Sequence, residues 1–298
     1  MEPPVKLKLS RHEVLALIKL MEKPMKVSEL ADSLKVKRSF ASRLVKDLEG
    51  KDFIIAKKEW NQKTISLSQY DHVESFKKLY NSRPDAHIED WLSGTAMDIL
   101  ISMNDGESFL PLIVDAECSA PTLYKFLNKF YSAGIVSHQG KKYVLSDANV
   151  KDFVKSYVGR ITSKLLGNIG YSNLVRAKTH VLIRTKSTEI PQFFIKTGLT
   201  YIIGHGVEAR ATEYNDYYFK ISGMNRGVSK TDALIHALAL SNSKEDYPIL
   251  AKYLLILMNE TTVNARLLKS EAELYGVESG LNELMIATGY YEKLRDME

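Results

Sequence analysis

The sequence predicts a mainly α-helical chain with small β hairpins: two copies of a three-helix-and-hairpin unit, followed by an α+β domain. Three observations predict it. Before residue 50, apolar residues recur at helical spacing in three short runs, and two strand-like segments follow. The same order returns after residue 90, as a search for internal repeats reveals. Beyond residue 170, strand-like runs come first and helical runs after, which marks an α+β domain. The expected boundaries are 1–70 for the first unit, 71–90 for a linking helix and break, 91–146 for the second unit, and 147–298 for the rest.

In the first unit, Ser10 precedes Val14, Leu15, Leu17, Ile18 and Met21, a helical spacing that Pro24 ends. Ser28 is the expected cap of a short helix carrying Leu30, Ala31 and Leu34 on one face. A third helix is expected to bury Phe40, Leu44, Val45 and Leu48, and to show Arg38, Ser39, Ser42, Arg43, Lys46 and Asp47 on its other side. Phe53 to Ala56 and the alternating Thr64 to Leu67 flank Lys57 to Lys63 as two strands of a hairpin. Three short helices and a hairpin make the winged-helix plan, with the hairpin as the wing.

The stretch Val27 to Ile54, VSELADSLKVKRSFASRLVKDLEGKDFI, resembles the helix-turn-helix of MarR-like and related archaeal winged-helix transcription regulators. The resemblance implies that the third helix lies in the major groove of double-stranded DNA and that the wing reaches the adjacent backbone or minor groove. By position it implies contacts from Arg38, Ser39, Ser42, Arg43 and Lys46, and from Lys57, Lys58, Asn61, Gln62 and Lys63 on the wing, while Lys37 adds a charge where phosphate would lie. The chemistry agrees, because Arg pairs bidentately with guanine while Ser and Lys mostly position a protein on phosphate. Lys37 stands where the family usually places a Ser or Thr cap, and Asp52 replaces a usual glycine. Asp tolerates the left-handed backbone better than most residues. The alternative is a winged helix used for protein contacts, with a merely solvated charged face. Trp60 at the wing tip either wedges into a groove or packs on the base of its own wing.

Charge separates the two copies. Residues 1–70 hold 15 Lys+Arg against 9 Asp+Glu, residues 71–150 hold 7 against 11, and residues 151–298 hold 19 against 16. The basic excess sits at the N-terminus, where it suits phosphate. In the second copy, Trp91, Met97, Leu100, Ile101 and Met103 suggest a first helix, and Ser108 to Ala116 a second. A third begins at a Ser119 cap with Pro121 in its first turn, buries Leu123, Phe126, Leu127 and Phe130, and stops at Gly134. Ile135 to His138 and Tyr143 to Leu145 form the wing. Its neighbourhood is acidic, so it reads either as a docking module or as a secondary DNA contact through Lys125, Lys129, Lys141 and Lys142.

Residues 147–166 form an expected helix whose apolar side (Val150, Phe153, Val154, Tyr157, Ile161, Leu165) suits pairing with a symmetry mate, hence a homodimer. Strands are expected at Thr179–Ile183, Tyr201–Ile203 and Tyr214–Ile221, and helices near 229–241, 247–258, 261–275 and 277–288. Ser229 and Asp232 suggest a capping box. The run Ser229 to Leu240 resembles the C-terminal lobe of nucleotidyltransferase-like proteins of abortive-infection systems, which implies an alternative role as a toxin–antitoxin component. The Gly-Ser and paired-aspartate strand that such enzymes need for metal are missing.

Nothing in the sequence assembles a catalytic set, a zinc spacing or a nucleotide loop, so no enzyme activity, metal or cofactor is expected. Gly204-His205-Gly206 lacks the lysine and spacing of a P-loop and reads as a turn. His180, His205 and Glu208 lack metal spacing, and His236 reads as a buried core histidine. Tyr214, Tyr217 and Tyr218 are either core aromatics or a stacking platform. A single cysteine, Cys118, fits a reducing compartment. No leader follows Met1 and no apolar run reaches membrane-spanning length, so a cytoplasmic protein without membrane contact is expected. The expected function is sequence-specific DNA binding in transcription regulation, with a small-molecule effector or protein partner on the C-terminal domain. An interaction scaffold within a DNA-processing complex is the third reading.

Overall fold

The computed structural model describes residues 8–59, 62–103, 106–208, 213–221, 227–241, 244–260 and 265–289. Two compact units divide the chain: Met1–Leu166 with Ile221–Gly223, and Gly167–Lys220 with Met224–Glu298.

The first unit opens with α1 (Arg11–Glu22), started by a reciprocal capping box: Glu13 N donates to Ser10 Oγ at 3.3 Å and Ser10 N to the Glu13 carboxylate at 2.5 Å. A two-residue strand β1 (Met25–Lys26) leads into α2 (Val27–Ser33), then α3 (Arg38–Gly50) and the hairpin β2 (Ile54–Glu59) and β3 (Gln62–Leu67). The sheet runs β1-β3-β2 and is antiparallel throughout. β1 escapes sequence analysis because two residues carry no periodicity; only pairing of Met25 with Ile65 and Lys26 with Thr64 defines it. That pairing also corrects the cap of α2. The helix starts two residues earlier than a Ser28 cap implies, with Lys26 at the cap position and its N–H donating to Glu29 Oε2 at 2.9 Å.

A helix α4 (Asp71–Ser82) and a 3-10 turn (Ile88–Asp90) come next, then α5 (Gly94–Ser102), α6 (Phe109–Asp115), α7 (Ala120–Ser132), β4 (Val136–Gln139) and β5 (Lys142–Leu145). α6 is as long as α2 and α7 as long as α3. A single bridge joins Glu107, just before α6, to Tyr143 on β5, as β1, just before α2, pairs with β3.

The long helix α8 (Ala148–Leu166) requires a correction of the expected boundary at 147. It belongs to the first unit and lies along α4. Its apolar side, expected to face a symmetry mate, is covered within the chain. Phe153 and Tyr157 meet Phe53 at ring distances of 6.4 and 5.4 Å, and Phe153 meets Phe76 at 5.8 Å. Helical spacing reveals that a face is apolar, not which partner covers it.

The second unit is built on an antiparallel sheet of β6 (Asn173–Ala177), β7 (His180–Thr185), β8 (Ile195–Lys196) and β9 (Asn215–Lys220), in the order β6-β7-β9-β8. Around it come α9 (Gly198–Gly204), α10 (Lys230–Leu240), α11 (Tyr247–Glu260), α12 (Ala265–Tyr275) and α13 (Glu278–Ala287). α10 is buried along most of its length, from Ala233 to Leu238 and again at Leu240, as its apolar composition on all sides requires. Its expected Ser229–Asp232 capping box forms.

Tyr201–Ile203, read as a strand, is instead the middle of α9. A carboxylate from another element overrides the β preference of these residues: Asp216 on β9 accepts the Leu199 amide at 2.9 Å, in the first turn of the helix. The Asp216 amide in turn donates to Thr200 Oγ1 at 2.7 Å.

Candidate nucleic-acid interface

Helix α3 buries Ala41, Leu44, Val45 and Leu48. Arg38, Ser39, Ser42, Arg43, Lys46 and Asp47 are exposed, as is Lys37 immediately before the helix. One expected core position moves: Phe40 is only half-buried, edge-on to His12 at 5.2 Å, while the small Ala41 packs inside. The Phe40 ring supports the Arg43 guanidinium, whose central carbon lies 5.8 Å from the ring centre.

The N-terminus of α3 differs from those of α1 and α10. Lys37 in the cap position supplies no side-chain hydrogen bond, and no acidic residue follows in the first turn. Free amides and the positive end of the helix dipole therefore face Lys37 and Arg38. Cations at this end work against the helix by about 0.3–1 kcal/mol each. An anion placed there would satisfy the amides and both side chains together. Lys37, Arg38, Arg43 and Lys46 make no ion pair among the described residues.

The wing places Lys57 opposite Thr64 and Lys58 opposite Lys63. Lys57 is exposed, and Lys63 bonds to Glu49 Oε2 at 2.7 Å, which ties the wing to the last turn of α3. Asn61, together with Trp60, lies outside the described residues, and for Lys58 and Gln62 only the strand positions are described.

Interactions that sequence reasoning missed hold α3 in place. At its C-terminal end Lys51 is buried, in an ion pair with Glu13 of α1 and a 2.8 Å hydrogen bond to the Lys8 carbonyl. The next residue, Asp52, has φ +58 and accepts from Arg160 Nε at 2.8 Å and Lys164 Nζ at 2.7 Å, both on α8. Arg160 also covers the Tyr70 ring at 3.7 Å. The turn residue was readable from sequence; its partners, more than a hundred positions away, were not.

On α7, Lys125 and Lys129 are exposed, as are Lys141 and Lys142 on the second hairpin. Asp98 is buried and pairs with Lys8 at 2.5 Å, and Glu107 accepts the Ser108 amide at 2.8 Å. His138 lies against Tyr143, with ring centres 4.3 Å apart.

In the second unit two carboxylates converge, but the group between them is Arg184: Asp216 binds it at 2.7 and 3.0 Å and Asp246 at 3.0 Å. This is an ion-pair cluster rather than an open acidic pair. His236 is buried and bonds to Thr197 at 2.7 Å, and His180 bonds to Tyr218 at 3.0 Å. Tyr218 is a core aromatic, Tyr217 is half-buried and Tyr214 is exposed. Gly204-His205-Gly206 forms the end of α9, with His205 Nδ1 2.8 Å from the Tyr201 carbonyl oxygen. Among the described residues, no three His, Cys, Asp or Glu side chains gather as metal ligands, and no helix is long and apolar enough to cross a membrane.

No curated protein and no solved structure matches the chain. Residues 7–59, from the approach to α1 through β2, match the MarR family model, so the chain carries a MarR-family domain at its N-terminus and points in general terms to a DNA-binding transcription regulator.

Proposed function

We propose that the protein is a cytoplasmic transcription regulator that binds double-stranded DNA sequence-specifically through residues 8–70. In this reading α3 enters the major groove. Arg38 and Arg43 read base edges, with Ser39 and Ser42 beside them, while Lys37 and Lys46 hold phosphate. The wing, from Lys57 and Lys58 through Asn61 and Gln62 to Lys63, follows the backbone or the minor groove. Lys63 exchanges Glu49 for phosphate when DNA arrives.

The observation that carries this reading is the N-terminus of α3. It is uncapped, positively charged and without an acidic partner among the described residues, on the same exposed face as Arg43 and Lys46. Other helices, α5, α6 and α9 among them, also lack a side-chain cap; what sets α3 apart is the pair of cations, Lys37 and Arg38, at its start. Residues 91–146 form a second winged helix, and the second unit is the place for an effector, a protein partner or self-association. A homodimer built on the apolar side of α8 is not available, because α4 occupies that side.

Selection from a random duplex library tests the claim. The wild-type chain should enrich a short motif, and Arg43→Ala should lower affinity for it by about 1–3 kcal/mol while relaxing preference at one position. A wild-type chain that binds duplex without enriching any motif contradicts base reading.

A further inference from the structure

The two halves of the first unit share one register. α2 and α6 start and end 82 positions apart, and so do α3 and α7. The left-handed residues keep that spacing: Lys35 (φ 53) corresponds to Glu117 (φ 49), and Asp52 (φ 58) to Gly134 (φ 66). Non-glycine residues at φ above zero are uncommon, so two in the same turn of both copies mark the same helix-turn-helix geometry. After the hairpins, whose strands have six residues in the first copy and four in the second, the match resumes. Ser68 N donates to the Phe53 carbonyl at 2.9 Å and Ser146 N to the Ile135 carbonyl at 2.8 Å. Ser68 Oγ donates to the Asp52 carbonyl at 2.6 Å and Ser146 Oγ to the Gly134 carbonyl at 3.2 Å.

The copies also grip each other reciprocally. A helix trails each hairpin, α4 after the first and α8 after the second, and the two helices pack together. α8 of the second copy reaches back to the corner between α3 and its wing, through Arg160 and Lys164 on Asp52. Arg83, at the end of α4, reaches the corresponding corner of the second copy. Its Nη1 donates to the Ala133 carbonyl at 2.7 Å and its Nε to Asp147 at 2.9 Å. Contacts in which each copy supplies to the other what it receives define a two-fold, isologous interface.

We propose that residues 8–166 are a covalently joined pseudo-dimer, in which a single chain applies two winged helices to one DNA duplex. The proposal rests on the DNA-binding reading given above. The two heads do different work. At the position of Arg43 the second copy has Lys125, at that of Asp47 it has Lys129, and at that of Ser42 an exposed Tyr124. In place of Arg38 and Ser39 stand Ala120 and Pro121, and Ser119 caps the helix that Lys37 leaves open. Lysines grip phosphate as point charges, whereas arginines pair with base edges. The first head therefore reads sequence, and the second clamps the backbone through Lys125, Lys129, Lys141 and Lys142. The target is a site with one specific half and one half of relaxed sequence.

Hydroxyl-radical footprinting on a duplex bound by the full chain, with the mass of the complex measured in parallel, tests this. One chain per duplex and two separate protected stretches are expected. The double variant Lys125→Ala, Lys129→Ala changes only exposed side chains. It should keep the wild-type unfolding midpoint, lose protection on one stretch alone, and lower the slope of log affinity against log salt by about 2. Two chains per site, or a single protected stretch indifferent to the lysine variant, overturns the pseudo-dimer and leaves DNA binding standing. Absence of duplex binding by the wild-type chain overturns both.

Discussion

Asp52 joins three influences at one residue: a left-handed backbone at φ +58, the end of α3, and two cationic partners on α8. These separate by substitution. Asp52→Gly loses the ion pairs but relieves the backbone, while Asp52→Ala loses the ion pairs and keeps the strain. Urea unfolding should show Asp52→Ala less stable than Asp52→Gly by about 1 kcal/mol. Equal stabilities would mean that the turn rearranges freely. His72 tests burial in the same unit. It lies in an aromatic nest, 4.5 Å from the Phe53 ring, and burial lowers its pKa to about 4, with the Arg160 charge acting in the same direction. Above pH 6.5 it is neutral in both folded and unfolded chains, so its contribution to stability is complete. As pH falls from 6.5 to about 4 the unfolded chain takes up a proton that the folded chain refuses, and stability drops by up to about 3 kcal/mol. Trp91 is buried in the first unit, so its fluorescence follows the unfolding of that unit. His72→Phe should flatten the decline between pH 6.5 and 5; parallel curves for variant and wild type would refute the burial account. The capping box at Ser229 and the tolerance of Asp52 were legible in the sequence because both depend on neighbours within a few positions. The Arg160, Lys164 and Arg83 contacts were not, since any surface arginine carries the same letter.

At the level of elements, helical spacing located α1, α3, α4, α7 and α8, and most of the second unit's helices. It failed where a distant group decides. α9 is helical because the Asp216 carboxylate occupies its first turn, and Gly198 makes room for that carboxylate. With φ +51, a Cβ at Gly198 would sit 2.5 Å from Asp216 Oδ2. Gly198→Ala should therefore destabilise the second unit by about 3 kcal/mol, through backbone strain and displacement of Asp216 from Arg184. A loss below about 1 kcal/mol would show that the carboxylate moves aside at little cost. The seam between α4 and α8 has a different origin. It is an aromatic core, and Phe153→Ala should cost about 3–5 kcal/mol in the unfolding free energy of the first unit. An effect near zero would mean that α8 is not part of that cooperative unit.

Across the whole molecule, the partition of charge was the most useful sequence signal for function. A formal net charge of +5 says little, but its concentration before residue 70 falls on α3 and the wing that follows it. What composition leaves out is pairing: Lys63 is bonded to Glu49 and Lys51 is buried, so fewer cations reach the surface free than the count suggests. Among the described residues, Lys37, Arg38, Arg43, Lys46 and Lys57 stay exposed without an ion pair, enough for steep salt dependence because each phosphate neutralised releases counterions. The most direct measurement is duplex affinity of the full chain at two salt concentrations, for wild type and for the double variant Arg38→Ala, Arg43→Ala. Wild-type binding should weaken sharply with salt, and each arginine that reads a base should cost about 1–3 kcal/mol when removed. Unchanged affinity of the double variant at both salt concentrations would contradict base reading by α3.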